Sequence, residues 1–170
     1  EPLQQLLNVG VDVTYFYHHF AGEIPESSHL QAHIDTTADV CTSLLVDKSL
    51  DGKFRPWAVT AAFGDNLFES AEKAAEPLGL TQAQLELLKQ LGTYINYNGY
   101  GSTPDDLHFH PEKLYKAIKP YTDPFAFIAE DPAFKQLQQG YQQDMQNAAD
   151  ISAEFATEGN ALFIFPGQPW

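Results

Sequence analysis

The feature that most constrains this fold is the stretch "LQQLLNVGVDVTYF", residues 3–16, where a helical pattern gives way to a strand pattern within a few residues. Leu3, Leu6 and Leu7 form the apolar side of a closing helix, and Gly10 can take the left-handed turn that ends it. Residues 11–16 are dense in β-branched and aromatic types, which suit a half-buried extended chain. A helix followed at once by a strand is the αβ half of an α/β unit. His18 and His19 come next, closed off by Ala21, Gly22 and Pro25. They fall at the strand's carboxyl end, the edge of an open parallel sheet where ligands bind.

Beyond Pro25 the chain reads mostly as helix, apart from a short strand at "QAHID" (residues 31–35). Asp39 is placed to cap a helix reaching Leu50, with Val40, Leu44 and Leu45 on one face and Asp51 and Gly52 ending it. Pro56 fits the first turn of a second helix, which breaks at Gly64. Residues 67–76 place Phe68, Ala71 and Ala75 on one stripe. Thr81 and Gln84 form a capping-box pattern ahead of Leu85, Leu88, Leu91 and Ile95. A loop is expected over residues 96–106, then helices opening at Pro111 and in "DPFAFIA". Last, Asp131 caps a helix with Pro132 in its first turn, and apolar residues recur at spacings of three and four from Phe134 through Tyr141 and Ile151 to Phe155. Its expected length is about 26 residues, or about 39 Å. The final run "ALFIF" reads as a strand without a neighbour to pair with. The expected class is therefore α/β, helix-rich, with a partial parallel sheet and a long final helix.

Charge and composition limit the partners. The chain of 170 residues is long enough for one ordinary domain. Its formal charge is −14, and its nine Lys and Arg residues are scattered. Long duplex nucleic acid calls for basic stripes that release counterions, so it is not the expected partner. A phosphate-ester substrate would need divalent cations to supply the missing positive charge. No apolar run approaches the ~18 residues of a membrane span. The single Cys41 has no internal partner, and the default expectation is a reducing cytoplasm. Glu1-Pro2 at one end and Trp170 at the other are read as cuts from a longer protein.

Few residues could carry chemistry. Neighbouring side chains on a strand point to opposite faces, so His18 and His19 would not chelate one ion from regular β geometry. At a strand end, one can ligate a metal while the other turns to substrate. Asp65 follows the break at Gly64 and is either a ligand for a hard cation or a cap for the next helix. His108 and His110, at i and i+2, form either a zinc pair or a flank of the helix at Pro111. Asn98, Gly99 and Gly101 lie in "NYNGYG", a loop suited to holding a ligand or, equally, to tyrosine packing between helix ends. His29 and His33 sit in Ser/Pro-rich surroundings that disfavour a shared helical face, and Cys41 reads as packing.

Taken in order, "LLNVGVDVTYF", the histidine pair with "AGEIP", "ADVCTSLLVDKSL" and "WAVTAAFGDN" resemble the DHH family of metal-dependent phosphoesterases, over about residues 3–102. The resemblance implies a DHH-like domain over residues 1–130, incomplete at its start, a connector helix over 131–158, and the opening of the family's smaller C-terminal domain over 159–170. It implies two Mn2+ or Mg2+ ions and hydroxide attack on nucleotides, short oligonucleotides or another small phosphoester. His18 and Asp65 take the family's metal-ligand positions, and His19 the phosphate-contacting one. Tyr17 stands where the family carries the acid of Asp-His-His, and no D-x-D motif precedes it. About half of a two-metal site is thus expected, and the isolated chain is expected to be inactive. The competing expectations are a degenerate, non-catalytic nucleotide-binding or interaction module, and an unrelated zinc hydrolase built on His108 and His110.

Overall fold

The computed structural model describes residues 2–150, 155–158 and 161–164. Helix α1 (Pro2–Asn8) stops where Gly10 takes φ +78°, and strand β1 (Val13–Tyr17) follows. Strand β2 (Leu30–Ile34) runs parallel to β1, with Val13 opposite Leu30 and Tyr17 opposite Ile34. Parallel strands need a crossover of a dozen residues or so, usually a helix. Here residues 18–29 make it without one. Among the described strands, β1 and β2 pair only with each other, and Val11, Phe20 and Ile34 around them are exposed.

Helices make up most of the remainder: α2 (Thr42–Ser49), α3 (Arg55–Gly64), α4 (Phe68–Ala75), α5 (Gln82–Tyr97), α6 (Pro111–Ile118), α7 (Pro124–Glu130) and α8 (Pro132–Asp150). The helix-rich α/β class expected from the pattern is the observed one. Three starts use the expected chemistry. Thr81 Oγ1 accepts from Gln84 N at 3.3 Å while Gln84 Oε1 accepts from Thr81 N at 3.0 Å, closing the capping box of α5. Asp123 accepts from Phe125 N at 3.1 Å, and Asp131 from Ala133 N at 2.8 Å, each ahead of a proline in the first turn.

Three expectations are corrected. Asp39 does not cap α2; Cys41 holds that position with no side-chain cap bond. Upstream, the Asp35 carboxylate accepts from Thr37 N and Oγ1 at 3.0 and 2.7 Å, a local turn that competes with helix. The last helix is described over Pro132–Asp150 and does not run to 158, because Phe155–Glu158 is a strand (β3), antiparallel to Ala161–Ile164 (β4). "ALFIF" therefore has a partner. Gly159 and Asn160, between the two strands in sequence, are residue types that short hairpins favour. These two, Ile151 and residues 165–170 lie outside the described residues. Finally, Phe68 and Met145 sit on predicted apolar stripes yet are 41% and 40% exposed.

Helix α5 is the spine of the core. Leu88 packs with Val59, Ala62, Phe63 and Ala71 on one side. One turn on, Leu91 and Tyr94 join Leu114, Phe127, Phe134 and Leu137 on the other. Helices α3 and α5 meet backbone to backbone. A Cβ at residue 92 would overlap the Thr60 carbonyl oxygen, and one at residue 64 would stand 2.8 Å from the Gly92 carbonyl oxygen. Among the described residues, no helix is long and apolar enough to cross a membrane.

At an open helix position, Gly→Ala stabilises by about 1 kcal/mol. Gly92→Ala is expected to do the opposite and cost about 1–3 kcal/mol, because the added methyl forces two packed helices apart. Denaturant unfolding of the variant beside wild type measures the sign.

Candidate functional site

His18 lies just past the end of β1, with its side chain 20% exposed. Its Nδ1 faces the first turn of α2, 2.8 Å from Thr42 Oγ1 and 3.2 Å from Thr42 N. Its Nε2 stands 3.6 Å from Asp65 Oδ2. Asp65 closes α3 as its C-cap, donating its backbone N–H to the Ala61 carbonyl at 3.0 Å. Asn66 then takes φ +60° and turns the chain into α4, whose N-cap is Leu67. Asp65 does not cap that helix, so its half-exposed carboxylate is left facing His18. Two residues 47 positions apart in sequence thus meet at the carboxyl end of a parallel strand.

The 3.6 Å approach is too long for a good hydrogen bond. Two donors on one divalent ion, each about 2.1 Å from it, stand about 3.0–3.4 Å apart. The pair is within a few tenths of an ångström of that spacing; the carboxylate suits Mn2+ or Mg2+, whereas an imidazole donor favours transition metals over Mg2+. Ligation through Nε2 needs the tautomer with its proton on Nδ1. The Thr42 backbone N–H, however, donates to Nδ1, which in a neutral ring puts the proton on Nε2, so Thr42 anchors the ring and ligation through Nε2 would have to displace that bond. His19 is exposed, its ring centroid 3.8 Å from that of His18. Tyr17 sits 6.3 Å from the His18 ring and 5.7 Å from the His19 ring, with no hydrogen bond to either.

Beside the pair lies a cavity of about 370 Å3, reached by His18, Thr42 and Asp65 and walled by Trp57, Ile95 and Ile118. Its size is in the range of small-ligand sites. Cys41 also lines it, but burial pushes its thiol above the ordinary value, outweighing the lowering pull of the Leu44 and Ser43 backbone N–H groups. A thiol held protonated is neither nucleophile nor metal ligand. Sequence reasoning missed Thr42, Trp57 and Asn96. Only the contact between separate elements reveals them, and no spacing marks it.

None of the remaining predicted residues lines this cavity. Asn98 is buried, and its carboxamide is used up on the Phe109 backbone, donating to O at 2.8 Å and accepting from N at 2.9 Å. It is a loop clamp. Asn98, Gly101 and His108 line a separate cavity of about 320 Å3. His108 and His110 are not presented as a metal pair. His108 Nε2 is 2.6 Å from Asp144 Oδ2, which also accepts from Tyr97 OH at 3.0 Å, while His110 is the exposed N-cap of α6. The His108 ring lies in the space that Gly140 leaves open on α8, where any Cβ would overlap it. Gly99 is exposed at the end of α5, and its N–H bonds the Asn96 carbonyl. His29 bonds Asp12 at 2.7 Å, and His33 stacks on Phe16 across the strands. Among the described residues, no group of three or more His, Cys, Asp or Glu gathers where an ion would bind.

Comparison of the chain with models of protein families, with curated proteins and with solved structures gives no match.

Burial and the Asp144 carboxylate push the Tyr97 phenol up to about 12 from 10.0. The fold favours the neutral phenol. Its contribution is therefore complete below pH 10 and is lost as pH rises through about 12. An alkaline absorbance titration of the tyrosines should show a late component near pH 12 that Tyr97→Phe removes. Asp144→Asn should move it only part of the way back, since burial is the larger cause.

Proposed function

We propose that the chain is part of a divalent-metal-dependent phosphoesterase of the DHH kind, acting on nucleotides, short oligonucleotides or another small phosphoester. The observation that carries this reading is the approach of His18 Nε2 to Asp65 Oδ2 at 3.6 Å, on the edge of a parallel sheet. His18 and Asp65 would hold Mn2+ or Mg2+, with Thr42 anchoring the imidazole ring. A bound ion would draw charge off the phosphoryl oxygens and activate water. His19, exposed beside His18, would donate to a phosphate oxygen, and the first-turn amides of α2 add a favourable field for an anion. A formal charge of −14 favours small or end-bound substrates over long duplex. The free Cys41 thiol fits a reducing cytoplasm.

A second reading is favoured by Tyr17, which gives neither histidine the orienting carboxylate that metal-bound imidazoles usually have. On that reading the fold is a non-catalytic nucleotide-binding or interaction module.

Titration with Mn2+ followed by electron paramagnetic resonance separates these readings from no site at all. Binding should weaken by at least about 10-fold in His18→Ala and in Asp65→Asn, as for other losses around a metal. Unchanged Mn2+ binding in both variants would sink the assignment. Hydrolysis of a panel of nucleotides and short oligonucleotides by the whole protein of which this chain is read as a part then decides between enzyme and binder. Under the enzyme reading, Tyr17→Asp should raise turnover; under the binder reading, turnover stays absent.

A further inference from the structure

The cavity beside His18 and Asp65 has two chemically distinct ends. One carries the imidazole, the carboxylate and the Thr42 and Ser43 hydroxyls at the start of α2. The other is formed by Trp57, Ala61, Ile95 and Ile118, with the Gly64 and Gly92 backbones between them. Among the described residues, no Lys or Arg lines it. A wholly anionic ligand such as pyrophosphate gains nothing from that second end, whereas a flat, mostly apolar body does.

The polar groups of the second end narrow the ligand further. The indole N–H of Trp57 is already bonded to the Tyr121 carbonyl at 3.0 Å, so Trp57 offers the cavity only apolar surface. The Thr60 hydroxyl is likewise spent, on the Pro56 carbonyl at 2.9 Å. Asn96 differs. Its backbone carbonyl accepts from Gly99 N, but its side-chain carboxamide has no hydrogen-bond partner among the described residues. The residue is half-buried and its amide atoms are reached by solvent, so a ligand can take them up without breaking an internal bond. It presents one donor and one acceptor side by side, the pattern that pairs with the edge of a nucleobase and best with adenine.

We propose that this cavity is a nucleobase subsite, in which Trp57, Ile95 and Ile118 cover the base and Asn96 reads its edge. The proposal rests on the reading that a phosphate group docks at His18 and Asp65, and it narrows that reading from nucleotides, short oligonucleotides and other small phosphoesters to those whose base sits in this cavity. A volume of about 370 Å3 accommodates the base, leaving the phosphate at the side of half-exposed Asp65. Inorganic pyrophosphate is a poor ligand for such a site.

Trp57 is its own reporter, since the sequence contains two tryptophans and Trp170→Phe leaves one. In that background, adenosine and adenosine monophosphate should change Trp57 emission saturably, and inorganic phosphate and pyrophosphate should not. Asn96→Leu, close in shape but unable to pair, should weaken both adenosine ligands about 10-fold or more while leaving Mn2+ affinity as it was. Asn96→Asp keeps the size, replaces the donor nitrogen with an acceptor oxygen, and should weaken adenosine as well. Neither change removes an internal hydrogen bond, so both should keep the parent's melting temperature. Adenosine that fails to bind, or binds equally well to both Asn96 variants, overturns the subsite. The two readings fail separately. Mn2+ binding that depends on Asp65, without nucleoside binding, sinks the subsite alone. Adenosine binding that depends on Asn96, with Mn2+ unaffected by Asp65→Asn, sinks the phosphoesterase reading alone.

Discussion

The bare-backbone contact between α3 and α5 is the constraint on which the rest depends. With no side chain at Gly92 and none at Gly64, the Thr60 carbonyl and the Gly92 backbone pack directly against each other. That closeness fixes the axis of α3, and so the place where α3 stops and releases Asp65. It also lets α5 reach both halves of the core, with Leu88 in one cluster and Leu91 in the next. Beside the contact lies the space lined by Ala61, Ile95 and Asn96 together with Gly64 and Gly92 themselves.

The electrostatics derive from the same arrangement. A chain at −14 repels anions at long range, so any anion-binding chemistry has to be local. One such place is where His18 meets the opening turn of α2. Asp65 lies against that point and is the natural counterpart for a cation. Elsewhere, histidine and carboxylate meet for other reasons. Asp144 gathers His108 and Tyr97 to fasten the loop after α5 onto α8, and the helix accommodates the ring by carrying Gly140.

Much of the fold was legible in the sequence where the signal is local. The Gly10 stop, the Thr81 and Gln84 box and the Asp-Pro openings of α7 and α8 act within a few residues, and each does in the structure what its chemistry predicts. Local signals misled where two of them compete. Asp39 has the chemistry of a cap, but the Val40 N–H closes a turn on the Thr37 carbonyl and the helix opens later, at Thr42. The helical spacing from Phe134 to Phe155 continues past Asp150, but Phe155–Glu158 has a strand partner within reach. The meeting of His18 with Asp65 could be expected from a resemblance alone. Thr42, Trp57 and Asn96 could not, because their roles exist only between elements.

The two halves of the His18 and Asp65 pair have unequal mechanical footing. Asp65 hangs from a helix whose Val59, Ala62 and Phe63 are almost wholly shielded from solvent. His18 extends from a strand with one described neighbour, at the start of a helix-free crossover. Backbone amides in so small a sheet open to solvent far more readily than those of a buried helix. The distance between imidazole and carboxylate is therefore set by the softer partner, and Thr42 is the peg that keeps it in place.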